Sequence, residues 1–288
     1  MRRILLFCVA AAALCLPARA QNASPAFWTI HGPKGTVYLV SSLHLLPPQI
    51  DWHRPEIDRA MQSADSFVFE VPTGESERGA ETQFILENGL LPAGEKLSMR
   101  LTPDGRRDFH RALELAGVEQ RNIDQKRPWL AEVVLTVQSM YRRNYSALHT
   151  PEGEAHDFAA RNGKEVRYFD TTEQQMEFLA GADRSNSTEQ FSAVLADFPN
   201  QPEREDRFVE AWAAGDVTMS ASLVAAGLRD LPDEQRLLNE RNRDWASQIE
   251  GMLGEKHTFF VAVGIAHLVG PGGVPALLRA HGVTVEGP

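Results

Sequence analysis

The sequence predicts an α/β protein in which a central, mostly parallel sheet of about four core strands carries a large helical insert. Three observations lead to this class. Runs rich in β-branched and aromatic residues lie near both ends of the chain, helical periodicity fills the middle, and one amphipathic segment separates the first two runs. Strand–helix–strand units of this kind make parallel strand pairs. Because no tandem repeat or low-complexity linker divides the chain, we expect a single domain over residues 21–288, with a helical middle region at about 75–230.

Each predicted strand is a short β-branched or aromatic run that ends at a turn signal. In chain order, the runs are residues 35–42, 66–71, 165–170 and 257–263, with a possible edge strand at 283–285. Pro47 and Pro48 prevent simple continuation of the first run, and Pro72 stops the second, because proline has no backbone N–H to donate. The fourth run is the most apolar, so we expect it at the centre of the sheet.

The helices are predicted from apolar residues at helical spacing combined with signals at their ends. They are expected at residues 55–64, 102–117, 128–141, 154–162, 172–181, 232–253 and 275–281, with two or three more within 187–228. Thr102 and Pro103 are typical of a helix start, and Gly117 is typical of a helix end. Thr172 and Gln175 have the spacing of a capping box.

The first twenty residues predict a cleavable signal peptide. Arg2 and Arg3 precede an apolar run over residues 4–16, and Ala18-Arg19-Ala20 fits the small-x-small cleavage pattern. The apolar run is short for a bilayer span. Cleavage near Ala20 predicts a periplasmic or secreted protein with no transmembrane anchor; the alternative is an uncleaved N-terminal anchor.

Composition excludes several classes of function. The chain has 29 Lys and Arg against 39 Asp and Glu, a formal net charge of -10, and no long basic run, so nucleic acid is not expected as a partner. Both cysteines, Cys8 and Cys15, lie in the signal segment, which excludes disulfides and thiolate chemistry from a cleaved chain. A metal ion would need His, carboxylate or amide ligands, which favours Zn, Mn or Co. The zincin motif, the α/β-hydrolase serine elbow and the nucleotide-binding glycine loops are absent from the sequence.

Polar residues follow four of the predicted strands: His44, Glu70, Asp170 and His267. The carboxyl ends of parallel strands meet at one edge of a sheet, where ligands bind in open α/β folds. Two imidazoles and two carboxylates at that edge predict a site for one or two metal ions. The alternative is that each residue is polar only because its strand ends at the surface.

The long helix predicted at 232–253 gives an independent signal. Its apolar stripe consists of Leu238, Trp245, Ile249 and Met252. Arg241 and Asn242 lie on the same stripe, where a guanidinium and an amide are costly to bury unless they are paired. A site carboxylate or an anionic substrate group would supply the partner. Alternatively, Arg241 reaches solvent along its aliphatic stem and Asn242 caps a loop carbonyl.

Several short stretches, in their order and spacing, resemble the TraB/PrgY/GumN family, which includes the Tiki-type proteases. They are residues 37–44, 67–72, 169–174, 211–216, 239–242 and 260–273, and they extend over roughly residues 28–285. The resemblance is to the secreted bacterial GumN-like branch, without the added hydrophobic spans of the membrane-anchored branches.

The resemblance implies a mixed α/β fold with two G-x-x-H motifs and a glutamate, and some relatives are divalent-metal-dependent peptidases. It suggests His44, Glu70 and His267 as metal ligands, with Glu70 as ligand or general base. Arg241 and Asn242 match the E-R-N motif and would position the substrate or support the metal ligands.

Three further residues are expected around these ligands: Asp170, Gly264 and Ser41. Ser41 departs from the family, which usually has glycine at that position. Glycine would permit a close backbone approach to a ligand, so the serine predicts weaker activity.

Two hypotheses follow. The first is an extracytoplasmic metal-dependent hydrolase, peptidase-like, in which Arg241 stabilises the developing oxyanion. The second is a non-catalytic extracytoplasmic protein that retains the fold and binds a peptide or glycan. The sequence leaves open whether the chain is an enzyme, and it predicts neither the substrate nor the oligomeric state.

Overall fold

The computed structural model has the predicted α/β class: a mostly parallel sheet surrounded by helices. The structure describes residues 21–72, 74, 77–181, 183–229 and 231–288. The predicted signal peptide, residues 1–20, lies outside the described residues. No helix of the described ranges combines the length and apolar character that crossing a membrane requires.

Five strands of the described residues lie close to the predicted runs, and three others were not predicted. The strands are β1 (Gln21–Asn22), β2 (Phe27–His31), β3 (Thr36–Ser42), β4 (Ile50–Asp51), β5 (Ser66–Phe69), β6 (Glu165–Tyr168), β7 (Thr258–Gly264) and β8 (Thr284–Glu286). The four predicted core runs are confirmed as β3, β5, β6 and β7, and the possible edge strand is confirmed as β8. The strands that were not predicted are β1, β2 and β4.

Helices fill most of the remaining chain. They are α1 (Pro55–Ser63), α2 (Glu77–Asn88), α3 (Leu97–Arg100), α4 (Pro103–Ala116), α5 (Pro128–Arg142), α6 (Pro151–Arg161), α7 (Thr172–Gly181), α8 (Asp183–Asp197), α9 (Gln201–Ala213), α10 (Val217–Gly227), α11 (Pro232–Leu253) and α12 (Val274–Ala280), with short 3₁₀ turns at Gln120–Asn122, Phe198–Asn200 and Ile265–His267. Within the helical middle region, α2 and α3 were not predicted as separate helices. The helix α6 begins three residues earlier than predicted, because Pro151 occupies its first position.

The central sheet has six strands within the described residues, in the order β6-β5-β7-β3-β2-β8. The four core strands run parallel, and β7 lies between β5 and β3, in register with both. Since all four point the same way, their carboxyl ends share one edge of the sheet. The prediction that the most apolar strand is central is confirmed.

One strand of the sheet was missed by the sequence analysis. Residues Phe27–His31 form β2, which pairs antiparallel with β3, whereas we had expected only a short polar lead there. Trp28 and Ile30 are buried, whereas Phe27 and Thr29 are partly exposed and His31 is exposed. This alternation was readable in the sequence.

The apolar core is built around the sheet, with a second cluster in the helical region. Phe67, Phe260 and Val261 are fully buried at the centre of the sheet. The second cluster joins α4, α5 and α8 around Phe109 and Phe191. On the sheet, α6 packs against β3, β5 and β7, and α11 packs against β3, α7 and α12. These two helices carry the side chains that reach the carboxyl edge.

Candidate functional site

A buried carboxylate lies between two imidazoles at the carboxyl edge of the sheet. Glu70 follows β5 directly, and only 3% of its side chain is exposed. His44 Nε2 lies 4.0 Å from Glu70 Oε1, and His267 Nε2 lies 4.0 Å from Glu70 Oε2. The structure therefore brings together the three residues that were expected to act as ligands.

Gly264, the last residue of β7, holds Glu70 in place. Its backbone N–H donates to Glu70 Oε1 at 2.6 Å. A Cβ on Gly264 would lie 3.1 Å from Glu70 Oε1 and 3.6 Å from His44 Nε2. The φ of Gly264 is -57°, which any residue adopts. Space, and not backbone conformation, is what favours glycine here.

His44 is oriented by a residue that the sequence analysis missed. Its Nδ1 lies 3.1 Å from Oε2 of Glu152, in the first turn of α6. Desolvation lowers the pKa of His44, but the hydrogen bond to Glu152 and the charges of Glu70 and Glu152 more than offset it and raise the pKa to about 9. An acidic residue at the start of a helix is common, so no signal in the sequence distinguished Glu152.

The protonation state of His267 is the opposite of that of His44, because His267 is neutral. It is 6% exposed, and its Nδ1 lies 2.6 Å from Asn242 Oδ1. Asn242 Nδ2 donates to the Gly272 carbonyl, so its Oδ1 accepts, which assigns the proton to Nδ1 of His267. Burial and the charges of Arg241 and His44 lower the pKa of His267 to about 3. Its Nε2 therefore presents a lone pair toward Glu70.

Arg241 and Asp170 form an ion pair next to Glu70. Arg241 Nε donates to Asp170 Oδ2 at 2.8 Å, and its Nη2 lies 3.8 Å from Glu70 Oε2. The indole of Trp245 donates to the same Asp170 oxygen and stacks on His267, with 4.0 Å between ring centroids. Arg241 and Asn242 on the buried stripe of α11 were expected to be paired, and their partners, Asp170 and His267, are residues of the site. The alternative for Asn242 is also partly realised, since its amide caps the Gly272 carbonyl while it holds His267.

Ser41 lies apart from this network. Its carbonyl accepts a hydrogen bond from Trp212 Nε1, and its Oγ is fully buried without a hydrogen-bond partner. No hydrogen bond links it to Glu70, His44 or His267. Among the described residues, Asn144 alone has a positive φ without being glycine, so the backbone at Ser41 does not require glycine.

Within the described residues, no group of three or more His, Cys, Asp or Glu side chains is already arranged to hold a metal ion. Two ligands of one ion bound at about 2.1 Å lie roughly 3–3.5 Å apart, so the 4.0 Å separations are somewhat long. The donor set nevertheless fits such an ion. Each imidazole anchors Nδ1 and turns Nε2 toward Glu70, as metal-binding histidines do. Gly264 leaves free the space that a Cβ would fill between Glu70 and His44.

The model of a family described as the TraB/PrgY/gumN family matches residues 26–287. No curated protein gives a significant match, and no solved structure does. The matched range contains every residue of the site described above.

Proposed function

Because the chain belongs to the TraB/PrgY/gumN family, we propose that it is a metal-dependent hydrolase that acts on peptide-like substrates. One observation carries the proposal: two imidazoles with anchored Nδ1 atoms turn Nε2 toward one buried carboxylate, at 4.0 Å on either side. Glu70 already accepts the Gly264 N–H and lies 3.8 Å from Arg241 Nη2, and both histidines face it without making a hydrogen bond to it.

His44, Glu70 and His267 would hold a divalent ion such as Mn, Co or Zn. When bound, the ion would polarise a substrate carbonyl and lower the pKa of a water molecule. Glu70 is either a ligand or the general base that receives the proton of that water. Its position between both histidines suits either role.

Arg241 would stabilise negative charge that develops on the substrate oxygen. Its Nε and Nη2 are engaged by Asp170 and Gln175, whereas no described residue accepts a hydrogen bond from its Nη1. The guanidinium also lies over the rings of Phe178 and Trp245, with 4.6 and 5.0 Å to the centroids. These contacts fix the plane of the guanidinium and leave one donor group for a substrate. Asn242 acts through His267, whose tautomer and orientation it sets.

We assign the chain to the secreted GumN-like branch of the family. The support is the signal-like segment with a cleavage pattern near Ala20. The protein would then act in the periplasm or outside the cell, on peptide substrates.

A second candidate function is a non-catalytic protein that binds a peptide or glycan through the same edge of the sheet. The observation that favours it is the 4.0 Å separation of each histidine from Glu70, which is longer than the spacing of two ligands on one ion.

The decisive experiment combines metal analysis with cleavage. The purified chain is loaded with Mn, Co or Zn, dialysed, analysed for bound metal and incubated with a random peptide library, with and without a chelator. The hydrolase proposal predicts about one ion per chain and cleavage that the chelator abolishes. Bound metal without cleavage would favour the binding protein, and a chain without metal that binds no peptide would contradict both.

A further inference from the structure

A cavity of about 380 Å³ lies between α7 and α11, directly beside the candidate site. Asp170 and Arg241 line its buried end, and Arg241 also approaches Glu70. Phe178, Leu237 and Gly181 supply an apolar wall. The cavity therefore has an apolar wall and, at its buried end, the ion pair of Asp170 and Arg241 that lies next to Glu70. Its size is that of a small-molecule or side-chain pocket.

The charged groups around the cavity leave an excess of negative charge. The arginines that line it are already engaged: Arg241 bonds to Asp170, and Arg236 makes two hydrogen bonds to Glu240, which does not line the cavity. Glu177 is exposed at the rim and has no hydrogen bond or ion pair with a described residue. Asp233, also exposed, lies 3.8 Å from Arg236. Of the three carboxylates that line the cavity, Glu177 alone has no ion pair with a described residue, and a cation entering the cavity would supply one.

An independent observation comes from Asp170, which is 7% exposed. Its Oδ2 accepts from Arg241 and from Trp245, but no described residue donates to its Oδ1. This oxygen is not among the buried side-chain atoms of the described residues that lack a hydrogen-bond partner, so it is accessible from outside the protein. Because Asp170 lines the cavity, a donor on a bound ligand can reach this oxygen.

We propose that this cavity binds a Lys or Arg side chain of the substrate peptide. The aliphatic stem lies against Phe178 and Leu237, and the cationic head donates to Asp170 Oδ1 between the carboxylates of Glu177 and Asp233. The apolar wall favours a side chain over a bare α-amino group, which has no stem to cover it. This inference rests on the proposed function for the identity of the substrate, and the cavity would then determine which peptides are selected.

Binding is tested separately from cleavage. The probes are fluorescein-labelled, Nα-acetylated nonapeptide amides of Ala and Ser with a single central Lys, norleucine or Glu. A fourth probe has norleucine and a free α-amino group. Dissociation constants are measured by fluorescence anisotropy for the full chain. We expect the Lys peptide to bind up to about fivefold more tightly than the norleucine peptide, since one partly exposed ion pair contributes at most about that factor. The free α-amino group should confer no comparable gain.

The variant Glu177→Gln/Asp233→Asn should lose the preference for Lys. Both side chains are exposed, so the fold should be retained, which circular dichroism checks. The control Glu203→Gln/Glu210→Gln removes the same charge from exposed positions on α9, away from the cavity, and should keep the preference.

The outcomes separate this inference from the proposed function. Equal affinity of wild type for the Lys and norleucine peptides, or equal loss in the control variant, would overturn the cavity assignment. Tight binding that follows the free α-amino group would also overturn it. A Lys preference in a chain that cleaves none of these peptides with Mn, Co or Zn would support the cavity and contradict the hydrolase.

Discussion

At the scale of single residues, the two histidines of the site differ because their partners differ. A carboxylate accepts from Nδ1 of His44 and favours its charged form, whereas an amide oxygen accepts from Nδ1 of His267 in a buried, neutral ring. One site therefore contains an imidazole that holds a proton and a buried imidazole with a free lone pair. This difference governs how each histidine should respond to substitution and to pH.

We predict that His267→Ala lowers metal occupancy far more than His281→Ala does. His267 is buried beside Glu70, whereas His281 is more than half exposed and pairs with Glu250. Elemental analysis after dialysis checks this. Equal occupancy of the two variants would count against His267 as a ligand.

Metal affinity should rise with pH between about 6.5 and 9. The pKa of His44 is raised to about 9, so a ligand role requires loss of its proton across this range, whereas His267 is already neutral. Affinity should increase up to tenfold per pH unit and level off above the pKa. Glu152→Gln removes the charge that favours the proton and should shift the plateau to lower pH; Glu154→Gln, on the same helix, is the control. A profile that is flat in the wild type would contradict the assignment of His44.

Ser41→Ala should raise the free energy of unfolding by about 1 kcal/mol, because it removes a buried hydroxyl that has no partner. Ser41→Gly should give less or no gain, since glycine adds unfolded-state entropy. The control is Ser42→Ala, whose Oγ accepts from the Glu152 amide. Urea denaturation and peptide turnover are measured together. Faster peptide turnover by Ser41→Gly without loss of stability would support the prediction that Ser41 lowers the activity of the site.

At the scale of elements, three parallel strands and two helices converge on the site. The exits of β3, β5 and β7 bring His44, Glu70 and Gly264 to one edge, because the strands are parallel and in register. The helix α11 contributes Arg241 and Asn242 from successive positions, and α6 contributes Glu152 from its first turn. Each functional side chain is thus on one of these elements or on the turn that directly follows it.

Gly264→Ala tests the exit of β7. The added Cβ would lie 3.1 Å from Glu70 Oε1, which forces the carboxylate to move away from His44. We expect a loss of metal occupancy of about tenfold or more, the magnitude typical of disturbed metal-site geometry, with the fold retained. Gly251→Ala on α11 is the control: its Cβ meets open space, and alanine should stabilise the helix by about 0.5–1 kcal/mol. Full occupancy in Gly264→Ala would show that this space is not needed.

For the whole molecule, the important feature is that the site lies at the edge of a sheet whose centre is fully buried. The described residues contain no cysteine, so no disulfide stabilises this part of the chain. Metal binding to the folded state alone should therefore stabilise the entire domain by mass action. At a free metal concentration of about 100 Kd, the gain is about 2.7 kcal/mol. Thermal unfolding with added metal and after chelation should differ by several degrees, and Glu70→Ala should remove the difference. An identical Tm under both conditions in the wild type would contradict a metal site on the folded chain.

The fold class, the four core strands and most helix starts could be predicted from the sequence, because hydrophobic periodicity, prolines and caps are local signals. The sequence also placed His44, Glu70, Asp170 and His267 on one edge, since parallel strands share their carboxyl ends. It missed β2, a short alternating strand that was readable, and it could not find Glu152. Three features of the site depend on tertiary contacts. Glu152 faces Nδ1 of His44, Asn242 sets the tautomer of His267, and Ser41 lies outside the network. These contacts join residues up to about two hundred positions apart, and their direction depends on side-chain packing that no local pattern encodes.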